Sequence, residues 1–223
     1  MIPVLNEAET IVNLLGSLQL LRSRGAEIVV IDGGSRDATL ELARPLADRS
    51  ITSLRGRARQ MNTGAAAARG ELLVFLHADV RLPEDADTLI CAGLARANRD
   101  WGRFDISLSG THPLLRMIEF AMNWRSRLTG IATGDQAMFM TRRLFDSVGG
   151  FPQLALMEDV AMSERLKARC RPLCLRTRVV ASSRRWEDHG ILRSMMLMWW
   201  LRLRFYFGAD PRDLARIYYD NGG

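Results

Sequence analysis

Gly70-Glu71-Leu72-Leu73-Val74-Phe75-Leu76-His77-Ala78-Asp79 is an apolar run that ends in an imidazole and a carboxylate. His77 and Asp79 alternate with Ala78, so in extended geometry they point to the same side. A divalent metal ion, or a polar ligand group, suits that pair. A strand-end turn in which Asp79 caps the following segment suits the same residues, and both readings stay open. Three further groups of acids sit at predicted junctions: Asn6-Glu7, Asp32-Gly33-Gly34-Ser35 and Glu158-Asp159. Acids in the first turn of a helix complement its dipole. That explains one of Glu158 and Asp159 and leaves the other available for a site.

The elements that must position these residues follow from periodicity. Leu72 to Leu76 reads as a central strand covered on both faces, with ligands expected beyond its carboxyl end. Ile11, Leu14, Leu15, Leu18 and Leu21 predict an amphipathic helix over 9–21. A strand is expected at 27–31 and a helix at 38–47, capped by Ser35 or Asp37. A weak strand over 51–54 and a helix over 59–68 lead into the strand at Leu72. This alternation predicts a parallel sheet with right-handed crossovers. Beyond Asp79 the pattern predicts helices at 83–97, 114–128 and 142–148, and one or two short strands within 101–108. It also predicts a strand at 137–140, a helix from 157 to 168 and a strand at 173–181. The polar cluster 182–190 follows.

Residues 191–207 are rich in Met, Leu, Trp and Phe, but Arg193, Arg202 and Arg204 interrupt them. The uncharged core Met195–Leu201 is far shorter than the roughly 20 apolar residues a bilayer span needs. An amphipathic helix is expected there, lying at a membrane interface or packed on the domain or on a second subunit. The sequence leaves those options open.

With 223 residues, 48% hydrophobic and 25% charged, the chain has the composition of one sizeable core. We read residues 1–190 as that domain and 191–223 as a helical appendage. The net charge of +6 is carried by arginine, because Lys167 is the only lysine. Arginine forks suit phosphates and anionic surfaces, and a compositional bias toward arginine gives the same count. No nucleic-acid partner is expected. Cys91, Cys170 and Cys174 are too few for a disulfide framework, which implies a reducing, cytoplasmic setting. No secretory leader is read in Met1-Ile2-Pro3. Neither G-x-G-x-x-G after a strand nor a Walker phosphate loop occurs, which disfavours nicotinamide and P-loop enzymes.

Pro3-Val4-Leu5-Asn6-Glu7, Asp32-Gly33-Gly34-Ser35 with Asp37, Arg59 through Asn62-Thr63-Gly64-Ala65-Ala66 to Gly70, His77-Ala78-Asp79, Glu158-Asp159 and Arg184-Arg185-Trp186 occur in one order. In that order the chain resembles family 2 glycosyltransferases of the GT-A fold over about residues 1–190, and most of all their small bacterial members. The resemblance implies an α/β mixed sheet flanked by helices and a nucleotide-diphosphate sugar donor. Pro3, Glu7 and Asp32 would line the nucleotide pocket, with Arg59 near the base or phosphates. Asp79, with His77 in place of the family's first acid, would hold Mg²⁺ or Mn²⁺. Asp135 would face the donor sugar and acceptor. Arg184, Arg185 and Trp186 would grip the diphosphate or acceptor. Asp159 would be the general base of an inverting transfer, with Glu158 beside it. The acceptor would be a hydroxyl, on a polyprenyl or other lipid if residues 191–207 meet the inner face of the cytoplasmic membrane. The opening strand is shorter than the family's. A nucleotidyltransferase on a related sheet and a non-catalytic nucleotide-binding membrane adaptor are the competing readings, and a homo-oligomer is compatible with all three.

Overall fold

The structure is a computed structural model that describes residues 1–222, with the side chains of Arg185, Asn221 and Gly222 outside the description. In chain order its elements are β1 (Ile2–Val4), α1 (Ile11–Ser17), α2 (Gln19–Ser23), β2 (Val29–Asp32), α3 (Thr39–Ala43), β3 (Arg49–Thr52), α4 (Arg57–Ala67), β4 (Leu72–Val74) and β5 (Val80–Arg81). There follow α5 (Ala86–Ala97), β6 (Trp101–Leu108), α6 (Pro113–Thr129), β7 (Phe139–Thr141), α7 (Arg142–Ser147), α8 (Glu158–Lys167), β8 (Leu173–Ala181), α9 (Arg184–Asp188), α10 (Ile191–Tyr206) and α11 (Pro211–Gly222).

β1, β2 and β3 are parallel, with β2 in the middle. The other strands form a mixed sheet in the order β4-β7-β6-β8-β5, in which only β6 and β8 run parallel. Backbone bonds join the two sheets: the Met1 amino group donates to the Val74 carbonyl (2.7 Å) and the Leu76 amide donates to the Met1 carbonyl (3.0 Å). β4 therefore lies between β1 and β7, as its apolar run requires. The parallel half is the one predicted, whereas the half beyond Asp79 is mixed because β7 returns beside β4 in the opposite direction.

Other elements differ from their sequence prediction for local reasons. The helix expected over 9–21 breaks at Leu18, whose amide turns back to Leu15. Residues 101–108 form one strand of eight residues. The polar cluster after residue 181 winds into α9. Pro211 opens a second C-terminal helix that packs Leu214, Ala215 and Tyr218 with Leu201 against Leu156 and Met157.

β6 shows how side chains replace a missing strand. β7 pairs with it only at Trp101 and Gly102, so the same edge further along has no neighbouring backbone. There Asn123 of α6 accepts from the Ile106 amide (2.8 Å) and donates to the Ile106 carbonyl (3.0 Å), while Glu119 accepts from the Leu108 amide (2.5 Å). One turn on, Arg127 grips Asp105 with two bonds of 2.7 and 2.8 Å, and Asp105 also pairs with the fully buried Arg103. Glu119, Asn123 and Arg127 are four apart and share one face of α6, which fixes the helix on the strand. An unsatisfied buried backbone group costs about 1–3 kcal/mol. Asn123→Ala is therefore expected to lower unfolding stability by about 2–4 kcal/mol, since it strands two such groups. A urea melt monitored by circular dichroism measures this, and an unchanged midpoint would contradict the role given to Asn123.

Candidate active site

A cleft of about 790 Å³ opens over the carboxyl ends of β1 and β4. Pro3, Glu7, His77, Asp79 and Arg184, all candidates from sequence, line it together with Arg55, Arg57, Gln60 and Tyr219. Gln60 is buried and donates to the Val4 carbonyl (2.9 Å) and the Ile31 carbonyl (2.7 Å), holding α4 across β1 and β2 beneath the cleft. The Glu7 amide donates to the Thr39 hydroxyl (2.7 Å) and its carboxylate accepts from Thr10 (2.7 Å). The loop after β1 is thus fixed to the start of α3. A second cavity of about 460 Å³ shares Arg57, His77 and Asp79 with the first and adds Asp135 and Trp186.

The two cavities meet at the His77 ring. Its Nδ1 lies 3.5 Å from an Asp135 carboxylate oxygen. Gly134 lies so close to the imidazole that any Cβ there would overlap Cε1 and Nε2. The Gly134 amide donates to Asp159 Oδ2 at 2.8 Å. The end of β4, the turn at 134–136 and the first residues of α8 are therefore in direct succession. Asp159 and Glu158 line neither cavity; they stand behind the 134–135 turn.

Charges in this cluster are strongly interdependent. Burial would lower the His77 pKa, but the Asp135 hydrogen bond, with Asp135 and Asp79 as nearby charges, outweighs it and raises the value. Burial would raise Asp135, yet His77, Arg57 and Arg202 hold it low. For Glu158, burial and then the Asp159 charge push the carboxyl up, favouring its neutral form. Arg57 reaches into the space the cavities share. Burial opposes its charge, but Glu158, Tyr218, Tyr219 and Asp135 hold it protonated. Three non-glycine residues in the left-handed region flank the cleft: Asn6 (φ 55°), Ala137 (φ 47°) and Met157 (φ 66°). Such strain gathers where the surrounding fold dictates a loop's course.

Other candidates from sequence are placed elsewhere. Asp32 is buried and accepts from the amides of Gly34 (3.0 Å) and Ser35 (3.0 Å) and from the Ser35 hydroxyl, closing its own turn without reaching the cleft. Arg59 turns away to Gln153, at 3.3 Å. Helix α4 begins two residues earlier than expected, and positions two apart differ by about 200° around the axis, so Arg57 takes the inward direction. The side chain of Arg185 lies outside the described residues. Sequence reasoning also missed Arg125 and Arg202 of the second cavity and the tyrosine pair Tyr218-Tyr219. The membrane reading of 191–207 covers Arg202, while Arg125 and the tyrosine pair belong to no motif.

Among the described residues, no three His, Cys, Asp or Glu side chains gather as a closed metal site. A nucleotide-held ion needs fewer protein ligands, commonly one or two carboxylates together with substrate phosphates. Asp79, which forms no ion pair among the described residues, fits that donor set. His77 fits only when it has lost its proton to become a ligand.

The fold is of the GT-A type. The sequence matches glycosyl transferase family 2 over residues 1–148, and the chain belongs to that family. No curated protein matches it by sequence. Its fold is similar to that of S. aureus TarS 1-349, with a TM-score of 0.66 and 19% identity over 86% of this chain and 62% of that one. It is also similar to the mannosyltransferase PcManGT from Pyrobaculum calidifontis, solved with GDP-Man and Mn²⁺, with a TM-score of 0.59 and 24% identity over 80% of this chain and 55% of that one. A third likeness is glucosyl-3-phosphoglycerate synthase from Mycobacterium tuberculosis with Mn²⁺ and UDP-glucose, with a TM-score of 0.56 and 18% identity over 81% of this chain and 68% of that one. The chain thus spans about three fifths of the length of the TarS fragment.

Two outcomes follow from the His77 contact. Because His77 is raised, the stability it contributes is full below the unfolded imidazole value and is lost as pH rises through its folded value. Asp135→Asn removes the first cause of the rise, so in the metal-free protein the NMR titration of His77 is expected to move to lower pH. An unmoved titration would show that Asp135 does not set it. Gly134→Ala is expected to displace the imidazole and reduce turnover at least 10-fold, as small misplacements of site groups do. A steady-state assay of the folded variant checks this.

Proposed function

We propose that this protein transfers a sugar from a nucleotide-diphosphate donor to an acceptor hydroxyl, with inversion at the anomeric carbon. The observation that carries the reading is the meeting of Asp79, His77, Asp135 and Arg57 where two cavities join beyond the end of β4. The family membership, and relatives of the same fold solved with UDP-GlcNAc, GDP-Man and UDP-glucose, support it. The 1–190 body supplies the donor side, and residues 191–222 form the acceptor-side wall.

The nucleotide lies in the larger cleft against Pro3, Glu7 and Arg184. Asp79, with His77 when neutral, would hold Mg²⁺ or Mn²⁺, which supplies charge neutralisation on the departing diphosphate. Arg57 stabilises the same negative charge, and fixed cations aimed at developing charge are a large catalytic term. Arg184 and Trp186 close over the diphosphate and acceptor. A hydroxyl is a weak nucleophile until a carboxylate takes its proton. Asp159 takes that role, beside Glu158 and next to the turn that carries Asp135. Burial and the Asp159 charge raise Glu158, favouring its neutral form.

The test is a thermal-shift panel of UDP and GDP with Mn²⁺ or Mg²⁺, followed by a sugar-release assay with the nucleotide sugar that binds. Ligands that bind only the native state raise its melting temperature. A metal-dependent shift is expected in the wild type and should be lost in Asp79→Asn. Asp159→Asn should keep the shift while turnover falls about 10²–10⁴-fold, the range for loss of a general base. Absence of any nucleotide shift in the wild type would overturn the reading.

A further inference from the structure

The second cavity is built unlike the first. Its walls are α6 and α10, with Met117, Ile118 and Met122 on one side and Met195, Met198 and Trp199 on the other. Each helix then contributes one arginine, Arg125 and Arg202. Met117 and Arg125 are eight residues apart, as are Ser194 and Arg202, so the apolar walls run about 12 Å from the arginines at the helical rise per residue. On α6 the two sets of contacts separate cleanly. Glu119, Asn123 and Arg127 bind β6, while Met117, Ala121 and Arg125 on another face line the cavity.

The arginines have no counterion. Nε and Nη2 of Arg125 and Nε of Arg202 are buried without a hydrogen-bond partner, and neither guanidinium has a carboxylate at ion-pair distance among the described residues. Asp159 and Asp135 attract them only from further away. Burial and the neighbouring Arg202 pull Arg125 down to about 10, so the two cations oppose one another. Both arginines are half-buried, a setting in which a charge without a partner is unfavourable, and a pair of forks with free donors matches the geometry of a phosphate.

We propose that this cavity binds an amphiphile with a phosphate or diphosphate head, the head held by Arg125 and Arg202 and the hydrocarbon tail lying between α6 and α10. The proposal rests on the transferase reading for one point alone: this ligand is the acceptor, and its phosphate serves as a handle that brings the acceptor hydroxyl toward the 134–136 turn on which Asp159 rests. The exposed Met196, Leu192 and Trp199 of α10 and Met117 of α6 continue the apolar surface outside the cavity, giving a longer tail somewhere to extend. Free phosphate has no use for the methionine walls, and a neutral alcohol has none for the arginines.

Calorimetric titration of the full chain with decyl phosphate, decanol and inorganic phosphate tests this. Decyl phosphate is expected to bind at least 10-fold more tightly than either of the others. Arg202→Gln should weaken decyl phosphate binding about 10-fold or more, and Arg125→Gln with Arg202→Gln further, while decanol binding stays constant. Ala121→Trp, which fills the groove and leaves both arginines in place, should abolish tail-dependent binding and keeps the test open if an arginine variant fails to fold. Equal binding of decanol and decyl phosphate would overturn the proposal, as would equal binding of inorganic phosphate or full binding by the double arginine variant. The same wild-type sample titrated with UDP or GDP and Mn²⁺ separates the two readings. Decyl phosphate binding without nucleotide binding would sink the transferase and leave the amphiphile site standing. Nucleotide binding without decyl phosphate binding would do the reverse.

Discussion

The whole site depends on an imidazole packed against a residue with no side chain. Gly134 lets the His77 ring come within contact of the backbone, and that approach puts Asp135 at its Nδ1 and the Gly134 amide at Asp159. Three segments separated by many residues in sequence, the end of β4, the 134–136 turn and the start of α8, are registered through this one packing contact. Charge then reinforces geometry: Asp135 is held ionised by His77 and Arg57, and Glu158 is held toward neutrality by burial and Asp159. A cleft with paired carboxylates would repel a diphosphate. This one presents Arg57 where the two cavities join.

The scaffold delivers that contact through backbone bonds. Two hydrogen bonds of Met1 join the parallel three-stranded sheet to the mixed five-stranded one. This makes β4 central although β7 is its only partner in the second sheet. The continuity aligns the carboxyl ends of β1 and β4, where ligands collect in open α/β sheets. The C-terminal helices close the other side. Leu201, Leu214 and Tyr218 pack on Leu156 and Met157, directly before the acids that open α8.

Much of this was legible in the sequence where the signal was local and periodic. The strands at 72–76 and 173–181 follow from side-chain direction and burial, and the structure reproduces the first over Leu72–Val74 and the second in full. His77-Ala78-Asp79 is the strand-end turn rather than an extended alternation, closed by the Val80 amide on the His77 carbonyl (3.2 Å). The six ordered motifs pointed to the family. Less legible was anything set by long-range pairing. That Asp32 spends its oxygens on its own turn could not be read from Asp-Gly-Gly-Ser, which serves a ligand equally well. The exchange of Arg57 for Arg59 turned on where one helix begins, the least certain feature of any periodic pattern. Arg202 reads from sequence as a break in an apolar helix and Arg125 belongs to no motif, and only their convergence from α6 and α10 reveals a shared cavity. The second C-terminal helix escaped notice because 211–222 carries few apolar residues, whose partners on Leu201 and Leu156 are remote in sequence.

The stand-in for a strand along β6 carries a consequence for assembly. With the Ile106 and Leu108 backbone already engaged by Asn123 and Glu119, that margin offers no template for a neighbouring chain to extend. Edge-to-edge growth, the route by which open sheets recruit copies of themselves, is blocked there by amide and carboxylate side chains. The sheet edges left to pairing are β3 and β5, and on the outer side of α6 Phe120 and Trp124 stack on one another.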